Sequence, residues 1–379
     1  MFIIQEVPSQ LKAKRQVLAL GTDTRQRISW SLQGRLYSLS PKQEYTDLKD
    51  FYLEACGFIK RKFRLTPAAI TFDPHPYFTC SKEADSVRRV YFPRAKLFPV
   101  FHHEAHAAGF GIEAGVGKRF IGLAFDGTGF GRDGNIWGAE FFIYSGRCFK
   151  RAAHFDYLAL PGSEAAIRQP WRVAFAALYK IYGTRLFDMR LNFLKGAGKG
   201  EIKLLAAMLD KDFNIAYASS CGRLFDAAAA ILNIKTVVEQ EAEAAVALEK
   251  AASVFCGEAI PYVFDIRHEK GGFCVDFSQM FVEMAADSAY PKRQNSAAMR
   301  FHATIAIAIG RVCRILRDKY AVNTAYASGG VFMNNILTHS VKRILEKDGF
   351  EAIMAKRPAT TDYGISQGQI AAVEMMKLH

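Results

Sequence analysis

Two histidines, His102 and His106, have the spacing of a metal-binding pair. They begin and end the segment His-His-Glu-Ala-His. On an α-helix, residues four apart present their side chains on one face, so both imidazoles could bind a single metal ion. A pair with this spacing also arises by chance on surfaces and in cores. A third ligand elsewhere in the chain would be needed to complete a metal site.

A glycine-rich loop follows these histidines in the sequence. The apolar segment 120–125 ends in Asp126-Gly127-Thr128-Gly129. Glycine lets the backbone turn sharply and approach a ligand closely, so the N–H groups of this loop could cradle a phosphate. The same four residues could also form only a tight turn between two strands.

Two further turns have the same character. Residues 219–226 place small side chains and N–H groups at the start of a predicted helix, and residues 328–334 contain a Gly-Gly turn between a predicted strand and a predicted helix. Asp226 could accept hydrogen bonds from ribose hydroxyl groups. Each turn alone could be a helix cap, but three such turns in one chain favour a nucleotide-binding site.

The strands that must position these loops occur in the same order twice. Each set has a short apolar strand, a loop rich in Gly, Thr and Asp, a second strand, a tight turn and a third strand. The predicted strands are residues 16–20, 27–32 and 35–39 in the first set and 120–125, 136–144 and 148–155 in the second. Helical spacing of apolar residues fills most of the remaining chain. We interpret the repeat as two related lobes around a cleft in an α/β fold, although two β-meanders could also coincide by chance.

The composition indicates a globular protein with a basic surface. Of 379 residues, 50 are Lys or Arg and 37 are Asp or Glu, which gives a net charge of +13. This charge fits an acidic protein, an RNA or an anionic nucleotide as partner, or a solvated surface without a partner. The seven cysteines form no C-x-x-C pair, which argues against a disulfide framework and against a zinc–thiolate site.

The sequence contains no signal for membrane insertion or secretion. No apolar run reaches the roughly 18 residues that a membrane-spanning helix requires. At the N-terminus, hydrophobic residues precede basic ones, which is the reverse of a secretory signal. We therefore expect a cytoplasmic protein without a membrane partner.

Eight motifs occur in an order that resembles one family. They are residues 102–106, 124–129, 136–140, 160–163, 169–172, 219–226, 328–334 and 362–369. Over nearly its whole length the sequence resembles the C-terminal transferase domain of the hydrogenase-maturation carbamoyltransferase HypF, which is related to the tRNA threonylcarbamoyl-transfer proteins. The stretch Asp73-Pro74-His75-Pro76 is similar to a further motif of that family.

The resemblance implies an α/β fold of two duplicated lobes, of the sugar kinase–actin or RNase H-like type. It implies that residues 1–115, together with about 360–379, form a first lobe with the metal ligands. Residues 116–359 would then form a second lobe with the nucleotide-binding loops. The repeated meander in the sequence agrees with this duplication.

The resemblance also implies the ligands of the site. His102, His106 and Asp362 would bind a divalent metal, and two imidazoles with one carboxylate would suit iron or zinc while leaving positions open for a substrate. The residues implied to hold ATP, AMP or carbamoyl-adenylate are Asp126, Gly127, Thr128, Gly129, Gly222, Asp226, Gly329, Gly330 and Asn334. No general base follows from the pattern. His103 and His75 are candidates, and each could instead be structural.

The reaction implied by the resemblance is an acyl transfer. A carbamoyl group would move from carbamoyl-adenylate to the C-terminal cysteine thiol of an acceptor protein, HypE, with release of AMP. The thiocarbamate product is later dehydrated to the nitrile that supplies the cyanide ligands of NiFe hydrogenase. The implied partners are therefore an HypE-like acceptor and a source of carbamoyl-adenylate.

The sequence departs from this family in three respects. Full-length members begin with an acylphosphatase-like domain, a cysteine-rich zinc segment and a YrdC-like adenylating domain, and none of these is in the sequence. We expect that a separate carbamoyl-adenylate-forming protein replaces them, unless the chain is an excised domain or its chemistry has changed. Glu104 stands where a third histidine is expected, and Met333 is a further departure in the Gly-Gly turn.

Three other functions are compatible with the same residues. The chain could be a small-molecule O-carbamoyltransferase, because such enzymes use the same core. It could be a non-catalytic nucleotide-binding subunit that scaffolds a complex. An RNA-modifying role is suggested by the net charge alone, so a nucleic-acid partner is not expected.

Overall fold

Two β-sheets and twelve α-helices make up the part of the chain that the computed structural model describes, residues 1–356 and 360–377. The strands of the first sheet are β1 (Phe2–Val7), β2 (Val17–Ala19), β3 (Ile28–Leu32), β4 (Arg35–Pro41), β5 (Ala69–Phe72) and β6 (Lys96–Pro99). The strands of the second sheet are β7 (Phe120–Phe130), β8 (Ile136–Tyr144), β9 (Phe149–Phe155), β10 (Leu158–Pro161), β11 (Ile215–Ser220), β12 (Asp265–Glu269), β13 (Gly272–Asp276), β14 (Thr324–Ser328) and β15 (Glu351–Met354). The helices are α1 (Leu48–Phe63), α2 (Thr79–Tyr91), α3 (His102–Ala114), α4 (Glu164–Arg168), α5 (Pro170–Tyr182), α6 (Lys199–Asp210), α7 (Cys221–Ile231), α8 (Glu243–Ser253), α9 (Ser278–Asp287), α10 (Gln294–Tyr320), α11 (Asn335–Lys347) and α12 (Ile365–Met376).

The two sheets share one topology. In the first, β2, β3 and β4 form an antiparallel meander, and β5 and β6 extend it parallel to β2. In the second, β7, β8 and β9 form the meander, and β14 and β15 extend it parallel to β7. The predicted duplication of a meander in an α/β fold is therefore confirmed.

One predicted boundary is wrong in a way that matters for the site. The strand expected to end at residue 125 continues as β7 to Phe130. A register shift between Phe125 and Gly129 lets the segment resume pairing with β8 after the glycine-rich turn. The loop is therefore a bulge within a strand, which fixes its backbone more firmly than a free turn would.

Two helices cross between the sheets and exchange places. The helix α3 follows the last strand of the first sheet but packs on β7 of the second, whereas α12 follows β15 of the second sheet and packs on β2 and β3 of the first. The helices also pack on each other at short range, because a Cβ at Gly368 would lie 2.1 Å from the Ala105 carbonyl oxygen. This exchange brings the first turn of α3 and the residues before α12 to the same point. The predicted lobes, 1–115 with 360–379 and 116–359, stay a prediction.

The second sheet is buried on both faces, which explains its uninterrupted apolar strands. Ile121, Leu123 and Phe125 of β7 point into the largest core, and Phe120 and Ala124 point toward the side where α3 packs. Strands covered on both faces are expected to read as continuous apolar runs rather than to alternate.

An insertion between β9 and β14 enlarges the second half of the chain. It holds β10 to β13 and α4 to α10, and its helices α5, α7 and α10 contribute a large share of the core beneath the second sheet. The longest helix of this insertion is α10, with 27 residues. No helix in the described ranges is long and apolar enough to cross a bilayer.

Candidate active site

Four side chains from distant parts of the chain meet where the crossing helices bring the sheets together. They are His102 and His106 in the first turns of α3, Asp126 on β7, and Asp362 just before α12. The potential ligand atoms all lie within 4.8 Å of one another. Both Nε2 atoms lie 3.3 Å from Oδ2 of Asp126. Oδ1 of Asp362 lies 3.5 Å from Nε2 of His102 and 3.9 Å from that of His106.

Each histidine has a second partner that fixes its ring. Nδ1 of His102 hydrogen-bonds Oδ2 of Asp73 at 2.9 Å, and Nδ1 of His106 lies 3.4 Å from the hydroxyl of Ser328. Because Nδ1 is engaged on the far side of each ring, Nε2 faces the cluster. Metal-binding histidines commonly have this kind of outer partner, and a carboxylate in that role makes the imidazole a better ligand.

The two carboxylates are also held from behind. Oδ1 of Asp126 accepts hydrogen bonds from the N–H groups of Gly127 at 2.8 Å and Gly330 at 3.2 Å. The Thr24 hydroxyl donates to Oδ2 of Asp362 at 2.5 Å. One oxygen of each carboxylate is thus occupied, and the other faces the imidazoles.

The charges of this cluster depend on one another. Burial alone would lower the pKa of His102, but Asp362, Asp126 and Asp73 hold it well above its usual value. Burial opposes ionisation of Asp126, yet the neighbouring imidazoles hold the pKa of its carboxyl well below the usual range. The pKa of Asp362 is lowered in the same way. The ionisation of the two carboxylates and the protonation of the imidazoles are therefore coupled.

The donor set fits a divalent transition metal. Two imidazole nitrogens and two carboxylate oxygens converge, which suits iron or zinc. His102, His106, Asp126 and Asp362 would hold such an ion. The structure brings together all three residues proposed as ligands from the sequence, and it adds Asp126, which the sequence placed only with the nucleotide. The sequence could have indicated this role for Asp126, because an aspartate at the end of the apolar part of a strand lies where the strand meets the cleft.

A cavity of about 510 Å³ opens beside the cluster. Seven of the nine residues predicted to bind a nucleotide line it. These seven are Asp126, Gly127, Thr128, Gly222, Asp226, Gly330 and Asn334. Thr24, which holds Asp362, also lines this cavity. The cavity and the cluster therefore share a wall.

The other two predicted residues, Gly129 and Gly329, do not line the cavity, and close packing explains why they are glycines. A Cβ at Gly329 would lie 2.0 Å from the Phe125 carbonyl oxygen, and the residue has φ +107°. A Cβ at Gly129 would lie 2.4 Å from the ring of His103. Both glycines allow the site's backbone segments to approach each other.

Asp226 lies at the cavity wall as half of a buried ion pair. Its Oδ2 lies 2.9 Å from Nε of Arg223, and both side chains are at most 8% exposed. Burial raises the pKa of Asp226, and the guanidinium of Arg223 opposes that rise. Because a buried unpaired charge would be costly, Arg223 is what permits a carboxylate here.

Asn334 is positioned by a histidine that sequence reasoning did not single out. The Asn334 amide Nδ2 donates to Nε2 of His302 at 3.0 Å, and Nδ1 of His302 donates to the Ala298 carbonyl at 2.8 Å. Asn334 also caps α11, because its Oδ1 accepts from the Leu337 N–H at 2.9 Å. Burial lowers the pKa of His302 to about 4, so the ring is neutral and accepts from Asn334.

This histidine predicts an acid-sensitive stability. The pKa of His302 is about 4 when folded and 6.5 for the free side chain, so the unfolded chain takes up the proton first as pH falls. The stability that neutral His302 provides is present above pH 6.5 and is lost on lowering the pH toward 4. We expect this group to cost roughly 2 kcal/mol between about pH 7.5 and about pH 5. Urea unfolding of wild type and His302→Gln at both pH values measures it. Equal pH dependence in the two proteins would contradict it.

The two candidate bases lie in different environments. His103 is fully buried, neither ring nitrogen has a hydrogen-bond partner within the described residues, and burial holds its pKa well below the usual value. His75 is half-buried and stacks on Phe78 with ring centroids 4.1 Å apart. Its Nδ1 accepts the Tyr77 N–H at 3.2 Å, so that lone pair is occupied.

Sequence reasoning missed the residues that support the ligands. Asp73 lies in a family motif but had no predicted role, and nothing in the sequence distinguishes Thr24 and Ser328 from other loop residues. Glu104, noted as a departure from the resembled family, is buried and accepts two hydrogen bonds from Arg132, at 2.7 Å and 3.0 Å. This bidentate pair ties α3 to the segment after β7, so Glu104 positions the histidine helix against Asp126.

Comparison with known proteins gives the family. Residues 12–113 match the HypF Kae1-like domain, and residues 122–369 match the second subdomain of the Kae1-like carbamoyltransferase domain. A carbamoyltransferase HypF homolog of Cupriavidus necator is 32% identical over 79% of this chain and 76% of its own length. Carbamoyltransferase HypF2 of the same organism is 30% identical over 84% of this chain but 41% of its own length.

A solved structure supports the same family. The crystal structure of full-length HypF in its phosphate- and nucleotide-bound form superposes with a TM-score of 0.87 at 26% identity, over 99% of this chain and 48% of that one. Fold and site thus define a two-lobed transferase of Kae1-like architecture. The chain belongs to the HypF carbamoyltransferase family. It spans about half the length of the full-length HypF structure, or less in the case of HypF2.

Proposed function

We propose that the chain transfers a carbamoyl group from carbamoyl-adenylate to a protein thiol, the C-terminal cysteine of an HypE-like acceptor, in hydrogenase maturation. The observation that carries this proposal is the wall shared by the nucleotide cavity and the His–carboxylate cluster. Asp126 lies in both, since its carboxylate reaches the histidines while its backbone begins the Gly127–Thr128 loop. A leaving nucleotide and a reacting carbonyl would therefore lie side by side.

Support for nucleotide binding comes from the cavity and from a relative. The HypF structure that superposes on this chain is described as phosphate- and nucleotide-bound. In this chain the cavity wall offers backbone N–H groups at glycine turns and the start of α7, which suit a phosphate. Asp226 and Asn334 offer the polar groups that a ribose or base would need.

The transfer step balances as an acyl substitution. The acceptor sulfur bonds to the carbamoyl carbon, the bond from that carbon to the phosphate oxygen breaks, and the thiol proton is released. The products are a thiocarbamate and AMP. The glycine turns would hold the AMP as its phosphate gains charge.

The cluster residues would hold a divalent metal beside the reacting group. When bound, such a metal supplies a Lewis acid that polarises the carbonyl oxygen. Asp73 and Ser328 keep both Nε2 atoms directed at it, and Thr24 and the Gly330 N–H keep the carboxylates in place. These side chains thus hold the ligand set ready before the substrate arrives.

His103 and His75 differ in fitness to accept the thiol proton. Burial lowers the pKa of His103, which makes the ring a weaker base but keeps it neutral, and its ring nitrogens are unoccupied among the described residues. Nδ1 of His75 is already occupied by a backbone N–H, which leaves its protonated Nε2 as a donor. We propose His103 as the better candidate base. We propose that His75 lies at the edge of the site and does not accept the thiol proton.

Single-turnover transfer tests the proposal. Carbamoyl-adenylate, generated by an adenylate-forming domain or protein in the same tube, is mixed with the metal-loaded chain and an acceptor ending in cysteine. We expect AMP release together with an acceptor heavier by one carbamoyl group. An acceptor with the terminal cysteine replaced by serine is the matched control, and an unchanged mass for both would reject the proposal.

The same assay separates the alternatives. Carbamoylation of a small alcohol but not of the protein thiol would indicate a small-molecule O-carbamoyltransferase. Nucleotide binding without any transfer, and without a need for metal, would indicate a scaffolding subunit. A salt-sensitive complex with tRNA would indicate an RNA-directed role.

A further inference from the structure

Two arginines beside the cluster have no acidic partner in the described parts of the chain. Arg25 and Arg27 lie on the segment between β2 and β3, and neither forms an ion pair within residues 1–356 and 360–377. The Nε atom of each is buried without a hydrogen-bond partner in the same ranges. NH1 of Arg25 donates only to the Thr24 carbonyl, at 2.9 Å. Both guanidinium groups therefore keep donors available.

The aromatic ring of Tyr363 lies close to both guanidinium groups. The ring centroid of Tyr363 lies 5.1 Å from Cζ of Arg25 and 6.0 Å from Cζ of Arg27. Tyr363 follows the cluster residue Asp362 directly in the chain. Two like charges held around one ring repel each other, and a cation–π contact offsets only part of this cost. Burial lowers the pKa of Arg27, as expected for a cation lacking a counter-ion.

The segment that carries these arginines is held firmly. Gly21 has φ +78°, and its N–H and carbonyl are both bound by the Gln369 side chain, at 3.0 Å and 2.9 Å. Further along the segment, Asp23 accepts hydrogen bonds from the start of α2, and the Thr24 hydroxyl donates to Asp362. These hydrogen bonds thus hold the backbone that carries the two arginines in place beside the cluster.

The carboxylates near Arg25 and Arg27 already have other partners. Asp362 faces His102, and Asp23 accepts the N–H groups of Thr79 and Cys80 at the start of α2. The place beside Tyr363 therefore has positive charge, planar donors and no anion from the described residues. A planar carboxylate matches this arrangement, because guanidinium groups bind carboxylates in a bidentate manner.

We propose that Arg25, Arg27 and Tyr363 form the site for the free C-terminal carboxylate of the acceptor. This inference rests on the proposed function. In a C-terminal cysteine the thiol and the carboxylate belong to one residue, within about 4.5 Å of each other given bonds of about 1.5 Å. The thiol must reach the cluster, so its carboxylate must lie within a residue's length of it. The adenylate phosphate is the other candidate anion, but neither arginine is among the residues that line the nucleotide cavity with the glycine turns.

The experiment compares two forms of one acceptor peptide on the unaltered protein. A fluorescent peptide ending in cysteine is used with a free carboxylate or with a C-terminal amide, and both its binding affinity and its KM in transfer are measured. We expect the amide to bind about ten- to a hundred-fold more weakly, the usual effect of losing hydrogen bonds to a charged group.

Variants then assign the effect to the arginines. In R25Q/R27Q the free carboxylate and the amide should bind equally, whereas R25K/R27K should retain part of the preference because charge remains without the planar donors. Arg61→Gln, an exposed change at the end of α1, is the control and should keep the full preference. Circular dichroism verifies that each variant is folded.

The outcomes separate this inference from the function on which it rests. Equal binding and transfer of both peptide forms by the wild type would overturn the carboxylate site while leaving thiol carbamoylation intact. A preference that survives in R25Q/R27Q would place the carboxylate elsewhere. Failure to carbamoylate either peptide would reject the proposed function, and the binding measurement would still show whether a terminal carboxylate is recognised.

Discussion

Replacing His106 by alanine is expected to remove the bound metal and to slow carbamoyl transfer by about a thousand-fold, or about 4 kcal/mol of barrier. The reason lies in the charge of the cluster. Asp126 and Asp362 are held ionised in a buried place, and the Nε2 atoms of His102 and His106 are the nitrogen donors that would complete a metal site there. Removing one imidazole leaves two carboxylates with one nitrogen donor, a set that binds iron or zinc more weakly than one with two imidazoles.

Metal analysis of the purified, metal-loaded protein measures the first effect, and AMP release measures the second. His339→Ala is the matched control, because His339 is exposed on α11 and away from the cluster. Asp126→Asn provides the sharper comparison. If Asp126 only bound the nucleotide, as the sequence suggested, this variant would keep its metal. The geometry predicts that it loses metal as His106→Ala does, and a fully metal-loaded D126N protein would refute the four-ligand assignment.

Much of this site could be predicted from sequence because its parts are local. The pair at 102 and 106 needs only helical periodicity, and the glycine turns need only the preference of glycine for close approach. The repeated meander was visible because each strand is a short apolar or alternating segment bounded by turn residues, which is a short-range signal. The family resemblance supplied Asp362, which no local pattern connects to the histidines.

The parts that could not be predicted depend on how distant segments meet. Nothing in the sequence shows that α3 and α12 exchange sheets, and only that exchange brings Asp73 and Thr24 behind the ligands. For the same reason, the sequence does not reveal that the adjacent residues Gly329 and Gly330 have different roles. Gly330 lines the cavity, whereas Gly329 accommodates the Phe125 carbonyl. Their roles differ because Gly329, with φ +107°, packs directly after β14 against the backbone of β7, whereas Gly330 begins the helical turn that faces the cavity.

The nucleotide side of the site has an equally sharp test at Gly222. A Cβ there would lie 2.7 Å from Cα of Gly127, which is backbone and cannot turn aside. The Ser220 hydroxyl donates to the Asp126 carbonyl at 3.1 Å and also to the Gly127 carbonyl, so the loop is fixed against the first turn of α7. Gly222→Ala must therefore push this loop out of place.

We expect Gly222→Ala to weaken AMP binding about ten- to a hundred-fold, because the displaced loop no longer presents its N–H groups to the phosphate. Titration calorimetry with AMP measures the affinity. The change also improves helix propensity by about 1 kcal/mol, so weaker binding cannot be ascribed to a weaker helix. Gly200→Ala is the control, since Gly200 is exposed in α6 and a methyl group added there would meet nothing within 4 Å.

The two sides of the site should respond together in this variant. Asp126 begins the displaced loop, so moving Gly127 also moves a cluster carboxylate, and Gly222→Ala should lose part of its metal as well as its nucleotide affinity. The reverse need not hold, because His106→Ala leaves the loop and its Ser220 contacts in place. Coupled loss in G222A with retained AMP binding in H106A would support Asp126 as the physical link between leaving group and cluster. Unchanged AMP and metal binding in G222A, with only the stability gain seen in G200A, would break that link and remove the main support for the proposed reaction.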